Sequence, residues 1–267
     1  MIRKPIVAGQ FYPSDEKELR SQIDLYLKKN IIPQKVIGIV APHAGYMCSG
    51  RVAGEVYASV IIPEKCIIIS PNHTGHGKPA SLFPDGTWET PLADINIDSD
   101  LAKDLAHNCS IIEEDYKAHT FEHSLEVQLP FLVSRQPKLS IVPLTVAHLN
   151  YDACKKIGAA IAKTIKDSKQ EILIVASSDM NHYENQETTN KKDRAAIEKI
   201  LNLDHAGLLQ VCGEKRITMC GVVPTTIMLI AAQILGATKA KLIKYETSGD
   251  VLGDFSSVVG YAGILII

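Results

Sequence analysis

Four apolar, β-branched runs constrain this chain more than any other feature. They are Lys35 to Ala41 (KVIGIVA), Cys66 to Ser70 (CIIIS), Ser140 to Val146 (SIVPLTV) and Ile172 to Ala176 (ILIVA). None alternates apolar with polar residues, so each reads as a strand covered on both faces. Lys241 to Glu246 and Ser257 to Ile266 read as two further strands. Helical stripes lie between them. Leu19, Ile23 and Leu27 recur at four-residue steps behind a candidate N-cap, Ser14. Val52, Val56 and Val60 repeat the pattern, as do Ile157, Ile161 and Ile165, with Ala196, Ile200 and Leu203 as a weaker fourth stripe. Strand–helix alternation predicts an α/β fold, an αβα sandwich on a mostly parallel or mixed central sheet. The closeness of the last two strands predicts an antiparallel edge. No linker, repeat or low-complexity segment interrupts the pattern, so residues 1–267 read as one domain.

Composition removes several classes of function. Lys plus Arg is 28 and Asp plus Glu is 30, a formal net charge of −2, and aromatic residues make up 6%. Neither a general basic footprint nor an aromatic stacking surface for nucleic acid is present. The longest apolar run, Val222 to Leu235, is short of a bilayer span and contains Pro224, Thr225, Thr226 and Gln233, so it reads as a buried core helix. Six cysteines without a C-x-x-C pair, and no apolar stretch after Met1 to Pro5, point to reduced thiols and a cytoplasmic location.

Ligands in open α/β sheets bind beyond the carboxyl ends of the strands. Three strand ends here deliver a histidine: His43 in Pro42–Tyr46, His73 in Pro71–His76, and His182 in Ser177–Tyr183, the last with Asp179 three residues before it. Imidazole is the commonest metal ligand and the usual general base near neutral pH, so these loops are the candidate site. A further cluster runs from His119 to Glu126. On a helix His119, Glu122, His123 and Glu126 would share a face, and residues 119 to 123 spell H-x-x-E-H, an inverted zinc-peptidase pattern. The competing reading makes Thr120 an N-cap and leaves His119 outside the helix. Cys220, just before the apolar helix, is either a small core residue or a soft metal ligand. Cys48 has a similar claim without neighbours that single it out, whereas Cys66, Cys109, Cys154 and Cys212 fall on apolar faces. Gly50 and Gly54 read as helix-packing glycines, and Thr247 to Asp254 as a connection or a pocket wall. No phosphate loop, dinucleotide fingerprint or nucleophile elbow occurs.

These stretches, with Val7 to Pro13, Trp88 to Leu92, Glu122 to Pro130, Met219 to Gly221 and Thr247 to Asp254, occur in an order that resembles the Memo family, relatives of the class III extradiol dioxygenases. The resemblance implies the dioxygenase-like αβα sandwich. It implies a metal, iron(II) or copper ahead of zinc, on His43, His73 and Cys220, with cysteine where the dioxygenases use a carboxylate. It implies His182 as acid/base with Asp179 beside it, and His123, Glu126, Tyr46 and Asn72 lining the pocket; His76 is incidental. It also implies partners, a radical-SAM protein and an AMMECR1-like protein in prokaryotes. Three functions compete: a metal-dependent redox enzyme of unknown substrate, a module binding a peptide or phosphotyrosine peptide in the same cleft, and a zinc hydrolase through His119, Glu122 and His123.

Overall fold

The computed structural model describes residues 1–27 and 31–267. Its sheet is built around four parallel strands in the order Ser140–Val146, Lys65–Pro71, Ile172–Ser177 and Gly38–Ala41. The strand Val258–Ile266 then pairs antiparallel with Gly38–Ala41, and Ala240–Thr247 pairs antiparallel with it in turn, giving the expected antiparallel edge. At the other end Asp94–Ile97 continues parallel to Ser140–Val146, and Ala80–Leu82 runs antiparallel to it. The sheet is therefore mixed, with its parallel part at the centre.

Burial on both faces explains why the central strands are apolar throughout. Ile67, Ile69, Ile174 and Ala176 face one core cluster, which also holds Ile157, Ile161 and Ile227. Cys66, Ile68, Leu173 and Val175 face the other, with Leu19, Ile23 and Val56. Helices Tyr151–Ser168, Gln186–Leu201, His205–Glu214 and Val222–Ile234 cover the first face. Helices Glu16–Tyr26, Tyr46–Ala58 and Leu129–Arg135 cover the second, which completes the αβα layering. Each large apolar side chain fully removed from water contributes roughly 1.5–3 kcal/mol, so the double-sided burial is the dominant stabilising term. Cys66, Cys109, Cys154 and Cys212 are all buried in these cores.

Several local expectations need correction. Asp15, not Ser14, caps the first helix, its carboxylate accepting from the Glu18 amide at 3.0 Å. The strand expected from Lys35 begins at Gly38. Leu203 lies past its helix in a left-handed turn but stays buried in the same core, and Ile197 joins the helix's buried stripe. Thr120 ends a short helix, Lys117–Thr120, instead of starting one, and His119 is inside it. Gly50 and Gly54 do pack helices: a Cβ there would meet the Tyr26 ring at 2.5 Å and the Tyr26 backbone at 2.6 Å respectively. Among the described residues no helix is long and apolar enough to cross a membrane.

Candidate metal centre

The strand ends bring His43 and His73 together with a third imidazole, His123, which the sequence places only in the pocket wall. Their donor nitrogens all lie within 4.8 Å of one another. Ring centroids are 5.3 Å apart for His43 and His73, 5.6 Å for His43 and His123, and 4.8 Å for His73 and His123. Bonds of about 2 Å from each nitrogen to one ion bring donors to within roughly 4 Å, so small side-chain movements close the group.

Two of the three rings have a fixed tautomer. Ser177 Oγ donates to the Ser124 carbonyl at 2.7 Å and accepts from Gln128 Nε2 at 2.8 Å. Its single proton being used, His43 Nδ1 at 2.8 Å must donate to it. His43 Nε2 is left as the ring's acceptor. His73 is held the same way: Nδ1 sits 2.9 Å from Glu122 Oε1, and its backbone N–H donates to Oε2 at 2.5 Å. Ser124 adds its own N–H and hydroxyl to Glu122 Oε1 at 2.9 and 2.7 Å. Burial opposes the Glu122 charge, but His73 and Ser124 together hold the carboxyl down at about 2. A histidine whose far nitrogen is tied to a carboxylate or other fixed acceptor is what metal sites use to orient a ligand. His123 lacks that tie; its Nδ1 lies 3.5 Å from Glu122 Oε1.

Electrostatics disfavour protons on two of the rings. Burial, then the neighbouring His73 and His123, put the His43 imidazole well below its ordinary value. Burial also lowers His123. Burial works against a proton on His73 too, but the hydrogen bond and charge of Glu122 overcome it and raise that imidazole.

Cys220 Sγ lies 3.2 Å from His43 Nε2, outside the mutual group of three but against its most buried member. The Asp179 amide donates to the same sulfur at 3.2 Å. Burial, reinforced by the Asp179 charge, pushes the thiol well up, so in the metal-free chain it is the donor to His43 Nε2. Close approach of this loop depends on Gly221, where a Cβ would fall 2.4 Å from the Ser177 carbonyl oxygen and 2.3 Å from Ser178 Cβ. Asp179 Oδ1 accepts from the backbone N–H groups of His43 at 2.8 Å and Ala44 at 3.3 Å, which fixes the His43 loop against the 172–177 strand end. His182 is half-buried, and its Nδ1 donates to the Thr218 carbonyl at 2.9 Å, leaving Nε2 unprotonated in the neutral ring.

The H-x-x-E-H segment does not form one helical face, because the helix ends at Thr120 and the chain turns before Glu126. The four residues expected on that face, His119, Glu122, His123 and Glu126, go to three places. His119 is fully buried between Phe83 and Trp88; Nε2 donates to the Ser81 carbonyl at 3.0 Å and Nδ1 meets Thr145 Oγ1 at 3.2 Å. Both nitrogens are used and burial lowers the ring to about 4, so it is a neutral structural residue. Glu122 and His123 reach the centre. Glu126, expected at the pocket, is fully buried and instead fastens the N-terminal segment through Arg3 at 2.8 Å, Tyr12 at 2.6 Å and the Val7 amide at 3.1 Å. Tyr46, also expected there, is likewise a core residue, its hydroxyl donating to the Val127 carbonyl at 2.8 Å.

Asn72 does face a cavity, and its side chain shapes the His73 loop by accepting from the Thr74 and Gly75 amides at 3.1 and 2.9 Å. His76 is exposed and only its backbone takes part in that loop. The Thr247–Asp254 segment closes on itself, Asp250 accepting from the Thr247 amide at 2.7 Å, with Thr247 Oγ1 donating to Gln186 Oε1 at 2.6 Å.

Sequence reasoning missed Glu122, Ser177 and Gln128 as partners of the cluster. The signal for Glu122 was present as an acidic residue beside His123, but the ring it holds is 49 positions away.

Comparison with known proteins finds relatives along the whole chain. The chain is 41% identical to a MEMO1 family protein of Aquifex aeolicus, over 100% of this chain and 99% of that one. It is 40% identical to one from Methanopyrus kandleri over 99% of each. Among solved structures, an uncharacterized protein from Escherichia coli K12 superposes with a TM-score of 0.54 at 14% identity, covering 86% of this chain and 100% of that one, which is a likeness of fold alone. The family profile described as Memo-like protein matches residues 3–265, and the chain belongs to that family.

Proposed function

We propose that the chain is a metal-dependent redox enzyme whose metal is held by His43, His73 and Cys220, with His123 as a fourth donor facing the substrate. The observation that carries this reading is the pair of imidazoles tied at Nδ1, His43 and His73, which leaves Nε2 of each as the remaining donor in a group whose ligand nitrogens lie within 4.8 Å of one another. Two nitrogens and a thiolate suit iron(II), copper or zinc better than magnesium or calcium. His123 is assigned the outer place because it has no partner fixing its tautomer.

A bound redox metal supplies Lewis acidity and electron transfer at open positions. The chain's own residues do the rest. Asp179 holds the His43 loop. Glu122 holds His73. His182 accepts a proton from a substrate hydroxyl or amine at Nε2, the Thr218 carbonyl keeping the other ring nitrogen protonated. The phosphopeptide reading has less support, because among the described residues no lysine or arginine lines the cavity beside the centre. The zinc-hydrolase reading lacks its first ligand, His119 being committed to Ser81 and Thr145.

The test is anaerobic reconstitution with iron(II), copper(I) and zinc, followed by metal analysis and oxygen uptake. Binding that depends on His43, His73 and Cys220 together supports the proposal. Full metal retention in a folded His43→Ala, His73→Ala double variant refutes it.

A further inference from the structure

A half-open cavity of about 550 Å³ adjoins the metal centre. It lies beyond the carboxyl ends of two adjacent parallel strands, between Asn72 and His73 on one side and Ala147 to Leu149 on the other. The start of the 222–234 helix and the 205–214 helix form its far wall. Its lining combines two kinds of chemistry. His73 and Cys220 belong to the metal centre, with Thr218 and Asn72 as further polar lining. Val146, Leu149, Leu209, Ile217 and Val223 form the body, and His148 stands among them on the strand-end loop.

Among the described residues no aspartate, glutamate, lysine or arginine lines this space. An ionised group placed in the body would lose water with no Asp, Glu, Lys or Arg to pair with, the one imidazole there, His148, being exposed, and this is strongly unfavourable. An apolar group gains instead in proportion to the area it buries. The volume lies in the range of pockets that enclose a whole small molecule, well beyond what one small polar head requires.

From these features we infer that the ligand of this cleft is an amphiphilic small molecule, with a polar head at His73 and Cys220 and a neutral, uncharged hydrocarbon or aromatic body running along Leu209, Ile217 and Val223. The position of the head rests on the metal-centre reading; the class of the body does not. Leu209, half-buried on the helix wall, is the residue that sets how long that body is.

The experiment is calorimetric titration of metal-free protein with 4-n-alkylphenols of increasing chain length, against ω-(4-hydroxyphenyl)alkanoates of the same lengths, which keep the phenol head and carry a charge on the body. Each methylene buried adds about fourfold in affinity. The expected result is a climb of that slope for the alkylphenols that stops when the cavity is filled, with the alkanoates weaker at every length the cavity encloses. Leu209→Trp should end the climb at a shorter chain and Leu209→Ala should extend it, with thermal unfolding confirming that both variants are folded. A flat series, alkanoates binding as well as alkylphenols, or a series unmoved by both Leu209 variants overturns the inference. Because the titration uses metal-free protein, a protein that takes up no metal but shows the climb retains the cavity and loses the metal centre. Metal uptake with a flat series is the reverse.

Discussion

The sharpest perturbation of this site is Glu122→Gln. The carboxylate accepts four hydrogen bonds, from His73 N at 2.5 Å, His73 Nδ1 at 2.9 Å, Ser124 N at 2.9 Å and Ser124 Oγ at 2.7 Å. A glutamine oxygen can keep the three made by Oε1. Its NH₂ group then faces the His73 N–H, donor against donor, and the remaining bonds lose their charge assistance. Together these cost about 2–4 kcal/mol. At roughly 2–4 °C per kcal/mol for a domain of this size, the melting temperature falls by about 5–15 °C. Loss of the anchor on His73 should weaken metal binding about 10–100-fold. The carboxyl titrates below its ordinary 4.5, at about 2, so its contribution is complete above pH 4.5 and disappears as pH falls toward 2. The gap between parent and variant must narrow over that interval. Glu126→Gln is the control, an equally buried carboxylate whose bonds go to Arg3, Tyr12 and the N-terminal amides instead of the cluster. Breaking that buried pair should cost about 3–5 kcal/mol and leave metal affinity unchanged. Equal metal affinity in Glu122→Gln and the parent, with stability lost, would refute the orienting role and make Glu122 a purely structural residue.

Three further outcomes follow from the same geometry. Cys220→Ser should weaken copper(I) binding more than iron(II), and because burial raises the parent thiol, metal uptake by the parent should release a proton and tighten as pH rises, read by calorimetry in buffers of different ionisation enthalpy. His182→Ala should keep its metal and lose turnover; loss of metal on that change would make His182 a ligand. Asp193, which accepts from the Asn181 amide at 2.8 Å and the Tyr245 hydroxyl at 2.8 Å, is raised by burial from 3.8 to about 7. The folded chain then binds this proton more tightly than the unfolded one, so stability falls as pH rises from about 4 to 7, and Asp193→Asn should flatten that slope in denaturant titrations.

The sequence by itself determined the layers. Runs such as Ile67–Ile69 and Ile172–Ala176 are apolar at every position, and only a strand covered on both faces makes use of that, so strand identity and the parallel centre were legible locally. The strand-end histidines His43 and His73 were legible for a related reason, since a loop beyond a parallel strand is where an α/β sheet exposes chemistry. Tertiary structure decided the partners. His119, Glu122, His123 and Glu126 look equivalent along the chain, yet a turn after Thr120 sends them to the Ser81 carbonyl, to His73, to the centre and to Arg3. Those assignments depend on residues between 38 and 123 positions away, brought close by sheet order rather than by spacing. Periodicity records which face of an element is buried. It does not record which buried group from another element will meet it, and at this site that meeting fixes each locked tautomer and each charge.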